Sequence, residues 1–79
     1  MTAATKWAIE NAQKKYSPSA LNKADCAIRR MSGEEYKSWP LVLGKATRIQ
    51  DDLKKHYGFD LSVYYIWEIL KEMEDESNE

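Results

Sequence analysis

The side chains best suited to chemistry are few: His56, Cys26 and two acidic doublets, Asp51-Asp52 and Glu34-Glu35. His56 is the only histidine, and Asp52 precedes it by four residues, on the same side of a helix. An Asp–His pair can tune a general base, because the imidazole titrates near neutral pH and a carboxylate orients it. No nucleophile is tied to this pair by spacing. Position 56 also borders the apolar stripe of Ile49 and Leu53 near a helix C-terminus, where a histidine is favoured on structural grounds alone. Cys26 has no base beside it in sequence, and a single cysteine permits neither an intramolecular disulfide nor a Cys/His zinc site. The doublets lack the spacing of a metal loop, and the chain has no glycine-rich phosphate loop. The expectation is therefore a non-enzyme: no catalytic residue, no metal ligand and no cofactor.

Contact chemistry is better represented. Tyr36, Trp39, Leu43, Tyr64 and Tyr65 are too many large residues for the core of so short a chain. Tyr, Trp and Arg are the residue types that anchor binding interfaces. Left-over aromatics beside Arg29, Arg30 and Arg48 thus mark a contact surface, which Glu68 and Glu72 extend on the last helix. The competing expectation is that Tyr36 and Trp39 merely cover the core from a loop.

The chain is 79 residues long with 43% hydrophobic residues, three Trp, five Tyr and one Phe. That is enough for one core, burying about 60% of the unfolded surface, and a stability of a few kcal/mol. Its net charge of −1 hides a split. Between Lys14 and His56 ten Lys/Arg face five acids, whereas from Tyr57 onward Lys71 stands alone against seven acids. Such asymmetry arises either from a basic partner-binding face or from charge complementarity within the fold. The basic middle (Lys23, Arg29, Arg30, Lys37, Lys45, Arg48, Lys54 and Lys55, with Tyr36 and Trp39) carries what unspecific nucleic-acid binding requires, but spread over several helices. No apolar run approaches the roughly 20 residues of a membrane span, and the first residues do not read as a signal peptide, so a cytoplasmic protein is expected.

These residues must be positioned by helices, since no alternating strand pattern occurs. The first helix is predicted from Ala3 to about Tyr16, with Thr2 or Thr5 as cap and Ala8, Ile9, Ala12 and Tyr16 on one face. Ser17-Pro18 restarts the chain into a second helix with Leu21, Ala24, Ile28 and Met31 inward, ended by Gly33. Ser32 and Glu35 match a capping box for a short turn of helix through Lys37. A long helix is predicted from Pro40 to Tyr57, capped by Ser38, with a close crossing at Gly44 and a stop at Gly58-Phe59. The last helix starts after Asp60 or Ser62 and carries an apolar arc of Val63, Ile66, Trp67, Leu70 and Met73, wide enough for two neighbours. Residues 74–79 are expected to fray as an acidic tail. The fold class is all-α: a small single-domain bundle of four to five helices over residues 1–79. Its predicted core is Ile9, Ala12, Leu21, Ala24, Ile28, Val42, Ile49, Leu53, Ile66, Leu70 and Met73.

Leu53, Tyr57-Gly58, Ser62, Ile66-Trp67 and Leu70 occupy places that resemble helix-turn-helix domains of bacterial regulators and some transposases. The resemblance covers residues 49–73 and is loose. It implies that residues 62–72 face a major groove. That face offers Tyr64, Tyr65, Glu68, Lys71 and Glu72, although base readers are mainly Arg, Lys, Asn and Gln and phosphates repel carboxylates. The sequence therefore favours a small regulatory or inhibitory module, of the kind found in phages and mobile elements, that binds another protein through Arg29, Arg30, Tyr36, Trp39, Arg48, Tyr64, Tyr65, Glu68 and Glu72. A DNA-binding helix-turn-helix regulator is the alternative, with nucleic acid reached through the basic middle and a homodimer compatible with either.

Overall fold

A computed structural model describes residues 2–41 and 43–77. Among them are four helices and no strand: α1 (Ala3–Lys15), α2 (Pro18–Gly33), α3 (Leu43–Tyr57) and α4 (Val63–Ser77). Local chemistry sets the first two starts. Thr2 and Ser17 are extended N-caps whose hydroxyls accept from the amides of Thr5 and Ala20, each at 3.2 Å, and Pro18 fills the first turn of α2. Gly58, at φ +75°, stops α3, its N–H donating to the Lys54 carbonyl at 3.2 Å.

The elements pack around α4, which touches α1, α2 and α3, one neighbour more than its apolar arc predicts. Ile66, Ile69 and Leu70 are buried, and Val63, Tyr65, Trp67 and Met73 pack partly buried against the same core. Ile28 of α2 and Ile49 and Leu53 of α3 meet them, all fully enclosed. α1 joins through small residues, Thr5, Ala8 and Ala12, while Trp7 points away and is 60% exposed. The acidic stretch after Met73 remains helical to Ser77.

Of the predicted core, Ala12, Ala24, Ile28, Ile49, Leu53, Ile66 and Leu70 are buried. Ile9, Leu21 and Met73 are half-buried, and Val42 lies outside the described residues. Ala8, Ala27, Met31, Tyr36, Ala46, Leu61 and Ile69 complete the core. Three expectations require correction. The capping box at Ser32 and Glu35 does not form, and there is no fifth helix among the described residues. Ser32 is buried inside the last turn of α2, and residues 34–38 form turns. Helix α3 begins at Leu43 and not at Pro40, because residues 36–41 are drawn across the bundle by the burial of Tyr36 and the packing of Leu41. Gly44 is exposed, so no neighbour crosses over it. No helix among the described residues is long and apolar enough to cross a membrane.

Candidate functional site

The nine predicted contact residues do not converge on one surface. They divide among four places, set by the helices and by the connection between α2 and α3.

Arg29 and Glu72 face each other. The Arg29 guanidinium bonds Asp25 one turn earlier on α2 at 3.0 Å and reaches across to Glu72 at 3.5 Å and Glu76 at 3.3 Å on α4. Part of the charge split between the middle and the end of the chain is thus satisfied internally, and Lys15–Asp60 at 2.8 Å is a second tie of this kind. That pair's salt bridge raises the pKa of the Lys15 ammonium and lowers that of the Asp60 carboxyl. Exposed ion pairs contribute little each, and Arg29 is the one that engages three carboxylates at once.

Tyr36, Trp39 and Arg48 form the second group. Tyr36 is 7% exposed, so its ring belongs to the core and not to a free surface. Its hydroxyl donates to Asp52; that bond, with burial, holds the phenol above its ordinary pKa. Trp39 packs edge-on against it, ring centroids 5.3 Å apart, and remains 40% exposed. The Arg48 guanidinium lies over the Trp39 ring at 5.9 Å, a cation–π arrangement, and its nearness to the Tyr36 phenol offsets part of the rise in that group's pKa. The adjoining cleft of about 460 Å³ is lined by Lys37, Trp39, Leu41, Lys45, Met73 and Glu74, among others. Lys45 is buried as a residue, its stem covered by its neighbours.

Arg30 stands on the other side of α3, over the Tyr57 ring at 5.9 Å and donating to its hydroxyl. Arg48 and Tyr57 are nine residues apart on α3, about two and a half turns, so the two arginine–aromatic pairs face in opposite directions.

Tyr64, Tyr65 and Glu68 occupy the remaining faces of α4. Tyr64 is 42% exposed and borders a small cleft with Leu43, Trp67, Lys71 and the start of α1. Tyr65, raised in pKa by burial, lines a shallow depression with Ile9, Asp25, Glu68, Ile69 and Glu72. The Glu68 Oε2 is buried there without a hydrogen bond, 3.6 Å from the Lys71 ammonium.

The residues with possible reaction chemistry stay apart. Asp52 is engaged by Tyr36, while His56 is exposed. Cys26 is an exposed free thiol. No group of three or more potential metal ligands occurs among the described residues. Sequence reasoning did not single out Tyr57, Phe59 and Lys23 as a group. With Asn22, Cys26, Ala27 and Arg30 they line an open, mainly apolar cleft of about 460 Å³ between α2 and the end of α3. Its signal was present in the spacing, since Lys23, Cys26, Ala27 and Arg30 follow at i, i+3, i+4 and i+7 along one face of α2. Comparison of the chain with protein-family models, curated proteins and solved structures finds no match.

Proposed function

We propose that this protein is a small non-enzymatic module that binds another protein and acts as a regulator or inhibitor. The observation that carries this reading is the pairing of half-exposed aromatics with arginines, Trp39 with Arg48 and Tyr57 with Arg30. Each pair is pre-ordered by its own cation–π contact and offers an apolar ring beside a guanidinium, whose five donors exceed the bonds it makes within the chain. Interface anchors have this composition, and pre-ordering lowers the entropy lost on binding. Engagement of the Asp52 carboxylate by Tyr36, where a general-base dyad with His56 would need it, also supports a binding role.

A DNA-binding helix-turn-helix regulator is the second reading, favoured by the α3–Gly58–α4 connection and the positive φ at its turn. Against it weigh the burial of α4 among three helices and its acidic outer face, with Glu72 committed to Arg29. A recognition helix needs a free, cation-rich face.

Two measurements separate these readings. Co-purification from the source cell, comparing the wild-type chain with a folded Trp39→Ala/Arg48→Glu variant, should recover a protein with the first and lose it with the second. Titration with labelled duplex DNA at low and moderate salt should show no steeply salt-dependent affinity. A steep loss of DNA affinity with salt, together with a protein complement indifferent to the variant, would overturn the protein-binding role.

A further inference from the structure

We propose that the cleft between α2 and the end of α3 is a docking site for an extended acidic peptide segment of another protein, one that inserts an apolar side chain between two carboxylates. The inference rests on the protein-binding role above and names the chemistry of the partner.

Charge and shape lead to this occupant. The floor is apolar, formed by Ala27, the Cys26 side chain and the rings of Tyr57 and Phe59. Phe59 packs edge-on against Tyr16, ring centroids 5.4 Å apart. Cations stand at both ends: Lys23 at one, Arg30 at the other. Among the described residues no acidic one lines the cleft. Four cations outside the cleft are met by the molecule's own carboxylates: Lys15 by Asp60, Arg29 by Asp25, Glu72 and Glu76, Lys55 by Asp51, and Lys71 by Glu68. The cleft beside Trp39 includes Glu74, and the depression beside Tyr65 includes Asp25, Glu68 and Glu72. Among the described residues Lys23 has no ion-pair partner, and Arg30 is held by a neutral phenol. A guanidinium has five donors, so the bond to Tyr57 orients Arg30 and leaves the rest of its fork for a carboxylate.

Spacing selects the peptide. Lys23 and Arg30 are seven residues apart, about 10 Å along the helix. In an extended segment alternate side chains share a face, and residues four apart span about 13 Å. The pattern acid–x–apolar–x–acid therefore places two carboxylates over the cations, within reach of their long side chains, and its central side chain on the floor.

The probe is the fluorescein-labelled peptide Asp-Ser-Phe-Ser-Asp with the full-length chain, followed by fluorescence anisotropy. Saturable binding is expected, weakened about tenfold or more by Lys23→Glu and by Arg30→Glu and unchanged by Lys54→Glu, a cation outside the cleft. The peptide Asp-Ser-Ser-Ser-Asp should bind more weakly than the parent. A readout on the wild-type chain covers the case in which a variant does not fold. Alkylation of the exposed Cys26 thiol by iodoacetamide should slow in proportion to peptide occupancy. Binding that leaves the Cys26 rate unchanged, or that survives both charge reversals, overturns the site. A labelled oligothymidylate that protects Cys26 better than the peptide assigns the cleft to phosphates and also overturns it. Loss of the co-purifying protein in the Trp39→Ala/Arg48→Glu variant without any peptide effect at Cys26 would retain the binding role and refute only this site.

Discussion

The two connections that flank α3 solve the same problem by different means. Residues 58–62, between α3 and α4, form a short turn set by a left-handed glycine and by side chains that bond its backbone. Gly58 turns the chain at φ +75°, Asp60 N–H donates to the Tyr16 hydroxyl at 2.8 Å, and Gln50 donates to the Leu61 carbonyl at 2.8 Å. Leu61 seals it into the core. Residues 34–41, between α2 and α3, turn without a left-handed glycine, the Tyr36 N–H donating to the Met31 carbonyl and the Trp39 N–H to the Tyr36 carbonyl, each at 3.0 Å. Large side chains add to these bonds: Tyr36 buried on Asp52, Trp39 against Tyr36, and Arg48 over Trp39. The shorter connection turns one aromatic ring, Phe59, into the cleft between α2 and the end of α3. The longer one leaves Trp39, 40% exposed, and a cation on the surface.

Substitutions can break this contrast, starting with the strongest. Tyr36→Ala removes the anchor of the longer connection and should lower stability by about 3–5 kcal/mol, enough to abolish a cooperative urea transition in a chain of this size. Leu61→Ala, in the shorter connection, should cost about 3 kcal/mol by the same measurement, since it opens a cavity while leaving the backbone bonds intact. Gly58→Ala should cost about 1–2 kcal/mol. A Cβ there meets no atom within 4 Å, so the whole effect is the left-handed backbone.

Smaller effects sharpen the comparison through pH. Tyr36→Phe should cost about 1 kcal/mol near neutrality. Because the fold raises the Tyr36 pKa, its stabilisation is complete below the unfolded tyrosine's value of about 10 and is lost as pH rises through the folded value. Thermal unfolding between neutral and alkaline pH should therefore show a shallower loss in Tyr36→Phe, the remaining slope coming in part from Tyr65. Asp60→Asn should act in the opposite limb. The Asp60 pKa is lowered, so its stabilisation is present above the unfolded aspartate value and is lost as pH falls through the folded one. Being solvent-exposed and screened, it should flatten only the acid end of the profile, and least of all at high salt.

How far the sequence could be read follows the same division. Ser17-Pro18, Gly58 and the stripes on α2, α3 and α4 are short-range signals, and they located the helices and seven of the core residues. Ser32 and Glu35 satisfied the same short-range rules and misled, because a capping box at the surface is worth less than a buried tyrosine. Among the contact residues, Trp39, Arg48 and Tyr64 are exposed as expected. Tyr36 is in the core and Arg29 and Glu72 are partners of one another, relations between positions far apart in the chain.

The sequence by itself determined an all-helical fold, the caps of α1 and α2, the stop of α3 at Gly58, and the opposition of a basic middle to an acidic end. Those depend on periods of a few residues and on residue chemistry. Only the tertiary structure decided which charges cancel and which aromatics stay outside. Arg29 and Arg30 are adjacent in sequence and point one helical step apart. One turns to the carboxylates of α4 and is neutralised; the other turns to Tyr57 on α3 and keeps most of its donors for a partner. Nothing local distinguishes them, because the difference is which helix lies across from each.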